Sequence, residues 1–172
     1  MLDVSIDVGS GMTKATGNGR RDDLPSFSGP CEETDSFNVK SEDGVIVKFR
    51  GKTHATGLLA KNKVAPSHLA NTRDERWFQS EEYLALMYAA MSKVLPDEYN
   101  GKLTLCTGLP QAFYGRDHDE LVKILTGKHQ FYASGKHYCV AIRKPDLVIM
   151  PQVMGLFLSR LREDAALQSG RV

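Results

Sequence analysis

Apolar and polar residues alternate through Leu2–Val8, with Leu2, Val4, Ile6 and Val8 set against Asp3, Ser5 and Asp7. A period of two predicts a half-buried β-strand. Gly9-Ser10-Gly11 breaks the alternation. Residues 12–16 can return as the second arm of a hairpin, turned again at Gly17-Asn18-Gly19. Residues 20–43 are polar, carry Pro25, Gly29 and Pro30, and read as loop with at most one short strand. Residues 45–49 and 52–56 read as a second hairpin around Arg50-Gly51, and 57–79 as loop with room for a short helix.

The period then changes. Tyr83, Met87, Met91 and Val94 recur at three- and four-residue spacing and predict a helix over 80–95. Ser80 is a fitting N-cap, Glu81 and Glu82 suit the positive end of the helix dipole, and Pro96 stops the helix. Residues 102–107 alternate again and end at Gly108-Leu109-Pro110. Leu121, Ile124 and Leu125 put one apolar face on a helix over 117–126, closed by Gly127. Residues 128–133 and 138–143 pair through Ser134-Gly135, and 146–150 form a short apolar strand. Pro151 then opens a final helix at its first position, where a missing N–H costs nothing, and Val153, Phe157 and Leu161 continue it. Hairpins together with strands interleaved with helices predict a mixed α/β fold.

Composition narrows the classes. The chain has 172 residues, the size of one domain, with 22 basic and 21 acidic side chains. That balance leaves no basic footprint for direct nucleic-acid binding. Three widely spaced cysteines without a C-x-x-C pair argue for a reducing compartment and against a disulfide frame or zinc site. The five histidines lack metal-ligand spacing. No basic leader with an apolar run and no membrane-length apolar stretch is present, so a cytoplasmic protein is expected.

Three stretches carry candidate chemistry. In Asp7-Val8-Gly9-Ser10-Gly11-Met12-Thr13-Lys14 a strand ends, turns on glycine and returns. Glycine lets backbone approach a ligand, and successive N–H groups in such a turn form an anion nest. Lys14 can reach back to a phosphate, and Asp7 can hold the water shell of Mg²⁺, which takes only one or two carboxylates. A plain Gly-rich hairpin is the alternative. Neither a Walker loop nor a Rossmann fingerprint is present. In Val148-Ile149-Met150-Pro151-Gln152-Val153-Met154-Gly155 a strand runs into a helix start. There Gln152 either caps the helix or orients a water, since an amide hydrogen-bonds but cannot act as a base. Thr107-Gly108-Leu109-Pro110 reads first as an ordinary strand exit, and Cys106 as a buried small hydrophobe.

Taken in order, these stretches bring a family into view. Asp7 to Lys14 is similar to the first phosphate motif of the actin, Hsp70 and sugar-kinase superfamily. The Thr107-Gly108-Leu109-Pro110 turn, the helix after it, the Val-Ile-Met-Pro-Gln-x-x-Gly stretch and the Gly51-x5-Gly57 hairpin resemble one branch of it. That branch is the ParM-like plasmid-segregation actins with their archaeal and phage relatives. The resemblance covers essentially the whole chain.

It implies an actin-like, ribonuclease H-like α/β domain with a mixed five-stranded sheet and flanking helices. Residues 1–24 and 80–172 would form the larger subdomain and 25–79 a small inserted one. It further implies a two-domain clamp over ATP and Mg²⁺. In that clamp Asp7 serves the metal through water, Gly9, Ser10, Gly11 and Met12 cradle phosphates, Lys14 contacts them, and Gln152 positions the hydrolytic water. Some ParM-type proteins carry Glu at that point; Gln152 favours water orientation over a carboxylate base. The family's second phosphate loop and adenosine motif do not occur before Val172. The expectation is therefore the first domain of a filament-forming ATPase, carrying half of an ATP–Mg cleft and inactive alone. The partners expected are copies of itself and a DNA-bound adaptor. The alternatives are a non-catalytic actin-like adaptor or filament-capping module, and a small-molecule kinase of the same superfamily.

Overall fold

A computed structural model describes residues 1–32 and 44–152. The opening alternation becomes β1 (Leu2–Val8), with Val4, Ile6 and Val8 buried and Asp3, Ser5 and Asp7 exposed. It pairs antiparallel with β2 (Met12–Gly17), and β2 with β3 (Arg20–Pro25). On its other side β1 pairs parallel with the long β7 (Asn100–Leu109). The far edge of β7 is shared: its end pairs with β10 (Leu147–Pro151) and its start with β9 (Lys136–Ile142).

The order β3-β2-β1-β7-β10 is thus a mixed five-stranded sheet. Through β9 it continues into β8 (Gly127–Ala133), β5 (Ile46–Phe49), β6 (Lys52–Thr56) and the short β4 (Ser28–Pro30). The helices are α1 (Gly57–Lys63), α2 (Glu81–Val94) and α3 (Tyr114–Leu125).

Helix α2 starts as its sequence predicts, with Ser80 Oγ accepting the Tyr83 N–H at 3.1 Å. Its burial goes further than one stripe. Ten of its 14 residues are buried, because the curled sheet meets it from β1–β3 on one side and β4–β6 and β8 on the other. A helix wrapped by a sheet has no wide solvent face, so small Ala85 and Ala89 sit on the side where an amphipathic helix would turn polar.

Two segments differ from the sequence reading. Residues 20–30 hold two strands rather than loop with at most one. β3 carries only one deeply buried apolar side chain, Leu24, so it shows no hydrophobic period. Its ladder to β2 and the facing pair Lys14 and Asp23 hold it instead. In β4, Gly29 lies where a Cβ would sit 2.7 Å from both Val64 Cγ1 and His68 O, so close approach rather than hydrophobicity selects that residue. Pro151 is the last residue of β10, facing Leu109, and the helix starts one residue later than expected, with Gln152 as its first residue. The remainder of the expected helix, with Val153, Phe157 and Leu161, lies outside the described residues.

An aromatic column crosses the seam between the two parts of the sheet. Tyr138, Phe131 and Tyr88 stack in near-parallel planes, Phe49 meets Tyr88 edge-on, and His54 stacks on Phe49. His54 is buried and its Nδ1 has no hydrogen-bond partner among the described residues. His129 Nε2 donates to Leu125 O at 2.9 Å, so its Nδ1 must accept the Tyr88 hydroxyl, also at 2.9 Å. Burial holds both imidazoles below their usual range, against the pull of Glu82 and Glu81 on His54 and of the Leu125 carbonyl on His129.

Both rings are therefore neutral when folded and take up protons at about pH 6.5 when unfolded. Their contribution to stability is whole above that pH and is lost as pH falls through their lowered folded values. Urea unfolding should show stability declining from about pH 7 to pH 5, with a flatter slope in a His54→Gln, His129→Gln double variant. The carboxyls held low by arginine partners, Asp117 and Asp146, titrate below that window. An unaltered slope in the double variant would assign the effect elsewhere.

Candidate functional site

The first turn is built for closeness. Gly9 N–H donates to Met12 O at 3.1 Å, and a Cβ on Gly9 would sit 2.9 Å from that carbonyl. Two outward carbonyls are tied down: Ser10 O accepts the Thr72 hydroxyl at 2.9 Å, and Gly11 O accepts Ser26 N–H at 3.0 Å. Among the described residues, the N–H groups of Ser10 and Gly11 donate to no other backbone carbonyl. The Gly9 N–H, by contrast, is engaged in closing the turn.

Beside this turn lies a groove of about 660 Å³. Asp7, Gly9, Ser10 and Lys14 line one part of it. Gly108, Leu109 and Pro110 from the end of β7 and Gln152 from the end of β10 line another. Gly11 and Met12 belong to the same turn but are not among its walls. Asp7 and Lys14 are directly opposite in the β1–β2 ladder, so both project from the open face of the sheet.

Asp7 and Gln152 are 145 residues apart, yet Gln152 Nε2 donates to Asp7 Oδ1 at 3.3 Å. Parallel pairing makes this possible, since β1, β7 and β10 all end at the same edge. Gly108 stands between them on β7. A methyl there would lie 3.0 Å from Gln152 Cγ and 3.9 Å from Asp7 Oδ1, so a side chain would crowd the contact. Strand ends in α/β sheets are where ligands bind, because loops and helix starts converge there without backbone blocking the approach.

The opposite wall was not found by sequence reasoning. It consists of residues 72–75, Trp77 and Phe78 together with Tyr83, Phe113 and the buried Asp117. Two Asx turns order the segment: Asn71 Oδ1 accepts Arg73 N–H at 3.3 Å, and Asp74 Oδ1 accepts Arg76 N–H at 2.8 Å. Asn and Asp two residues before the donors were the available signal. Arg116 clamps Asp117 through Nε and Nη2, both at 2.8 Å, and reaches Glu75 at 3.1 Å. The hydrogen bonds from Arg116 hold the Asp117 carboxyl below its usual range. Burial pushes the Tyr83 phenol above its ordinary range, so it stays a neutral wall.

No group of three or more His, Cys, Asp or Glu among the described residues could hold a metal by itself. One groove-facing carboxylate at a strand end, Asp7, suits a cation that keeps most of its water and takes its other ligands from a bound phosphate. No helix among the described residues is long and apolar enough to cross a membrane.

Residues 5–155 match the model of the N-terminal domain of actin-like proteins. The fold is similar to that of a 15-stranded ParM filament from Clostridium botulinum, at TM-score 0.79 and 22% identity over 96% of this chain and 51% of that one. It is also similar to the archaeal actin homolog Ta0583 in complex with ADP, at TM-score 0.69 and 20% identity over 95% and 48%. A third likeness is to the AlfA filament bound to AMPPNP, at TM-score 0.60 and 18% identity over 87% and 54%. The chain spans about half the length of these solved structures. No curated protein matches it. The curled mixed sheet with its flanking helices is the actin-like fold, and the chain belongs to the actin-like protein family through that family's N-terminal domain.

Proposed function

We propose that this chain is the phosphate-binding side of an ATP–Mg²⁺ cleft in a filament-forming actin-like ATPase. The observation that carries the reading is the Asp7–Gln152 contact at 3.3 Å in one groove with Gly9, Ser10 and Lys14. A carboxylate for a hydrated cation, an amide for a water, a lysine and a glycine turn are the parts that hydrolysis of a phosphoanhydride needs on one side. Asp7 would hold Mg²⁺ through water, and Ser10, Gly11 and Met12 N–H groups with Lys14 would take the phosphates. When bound, the cation would neutralise phosphate charge. Gln152 offers its amide N–H to Asp7, which leaves Oε1 to accept a hydrogen bond from water.

Residues 1–24 and 80–172 form the larger subdomain on this reading, and 25–79 the inserted one. The solved relatives include ParM and AlfA filaments, an ADP complex and an AMPPNP complex. They support self-association and nucleotide binding for the complete protein, and we propose for it a cytoplasmic plasmid- or DNA-segregation role with a DNA-bound adaptor. The described residues supply phosphate contacts without an evident base pocket. Calorimetry of this chain with Mg²⁺–ATP should therefore give a dissociation constant on the order of 1 mM, about −4 kcal/mol, and Asp7→Ala should weaken it further. Sub-micromolar affinity, or no response to Asp7→Ala, would contradict this division of the site.

A further inference from the structure

The wall opposite the glycine turn is braced at several points. The Thr72 hydroxyl donates to Ser10 O, Glu75 accepts from Arg116, Arg76 Nε lies 4.0 Å from Asp117 Oδ1, and Trp77 meets Tyr83 edge-on. One charged side chain in this stretch is different. Arg73 lines the groove, its backbone N–H is held by Asn71, and its guanidinium makes no hydrogen bond or ion pair among the described residues.

We infer that Arg73 is a further phosphate ligand of this groove, presented across it by residues 71–77 and directed at the outermost phosphate of a nucleoside triphosphate. The inference rests on the nucleotide reading above. Of the acidic groups in the walls, Asp117 and Glu75 are already paired with Arg116. The charges left to meet a ligand are Asp7 and Asp74 against Lys14 and Arg73. A polyphosphate brings several negative charges, and Lys14 alone is a single point charge on the sheet side. A guanidinium offers a planar fork of donors that matches a phosphate's oxygens, and it stays charged at any physiological pH.

Position decides which phosphate it meets. Asp7 and Gln152 mark the part of the groove where the bond to the last phosphate would be attacked. Thr72, the neighbour of Arg73, is tied to Ser10 of the turn that holds the chain of phosphates. Because the backbone on both sides of Arg73 is fixed, only the side chain has to order when ligand arrives, which limits the entropy cost. Loss of the terminal phosphate removes its partner, so Arg73 makes the groove prefer the triphosphate over the diphosphate.

The test is an amide-shift titration of this chain with Mg²⁺–ATP and Mg²⁺–ADP at millimolar concentration, in wild type, Arg73→Met and Lys14→Met. Arg73 is exposed and unpaired, so its variant should melt at the wild-type temperature. Arg73→Met should weaken ATP binding about 10-fold, as expected for a lost charge-assisted hydrogen bond, and leave ADP within about twofold. Lys14→Met should weaken both. If Arg73→Met binds ATP like wild type while Lys14→Met does not, the inference is wrong and the nucleotide reading stands. Equal weakening for ATP and ADP would also overturn the terminal-phosphate assignment. Wild-type amides of residues 9–12 that fail to shift with either nucleotide would remove both readings together.

Discussion

Gln152→Ala, in a full-length protein carrying this domain, should slow ATP hydrolysis by ~10- to 1,000-fold, or roughly 1.4–4 kcal/mol of barrier, while leaving ATP binding nearly intact. The argument is differential. Gln152 spends its N–H on Asp7 and keeps Oε1 for a water, so it touches the attacking group rather than the bound phosphates. Removing such an interaction lowers the catalytic rate more than affinity. Asp7→Ala should behave differently and weaken Mg²⁺–ATP binding itself, since Asp7 is the only carboxylate beside the glycine turn among the groove walls contributed by β1 and β2. Steady-state phosphate release with a parallel nucleotide titration separates the two. Slower hydrolysis should also lengthen filament lifetime if spent nucleotide triggers disassembly, which light scattering would follow. Equal loss of affinity in both variants would make Gln152 a binding residue or a helix cap, and the water-orienting role would have to be abandoned.

The second large effect concerns stability. Phe131→Ala should destabilise the domain by about 3–5 kcal/mol, the range for truncating a large buried aromatic side chain. Phe131 is 1% exposed and lies between Tyr88, with ring centroids 4.4 Å apart, and Tyr138 at 5.1 Å. Truncation removes both stacks and opens a void at the seam where β8 joins β5. The backbone on either side is held by ladders to β9 and β5, so collapse into the void is resisted. Phe131→Leu should cost less: it keeps most of the volume and loses mainly the ring geometry, worth ~0.5–1.5 kcal/mol per aromatic pair. Against a typical domain stability of about 5–15 kcal/mol the alanine variant remains measurable by denaturant unfolding. A loss below about 1 kcal/mol would mean that the column is not a closed core and that the two parts of the sheet unfold separately.

Local chemistry was enough to read much of this protein. The alternation in β1, the capped helix at Ser80, the hairpin around Ser134-Gly135 and the glycine turn after Asp7 each depend on residues a few positions apart, and each appears in the structure near its expected bounds. So did the order of motifs that pointed to the actin-like family. Polar β3 and Gly-containing β4 were illegible because partners far along the chain hold them: the ladder to β2, and the packing of Val64 and His68 over Gly29. Pro151 reads as the first residue of a helix by its missing N–H, yet pairing with the β7 edge keeps it in the strand and the helix begins only at Gln152. The groove shows the same division. Asp7, Lys14 and Gln152 could be named as candidates from their local settings. That Asp7 meets Gln152 across 145 residues depends on parallel pairing through β7, and the wall at 72–78 depends on contacts from Thr72 to Ser10 and from Glu75 and Arg76 to α3. A periodic pattern records which face of an element is buried; which elements share an edge follows from strand pairing, whose hydrogen bonds are made by backbone that every sequence has.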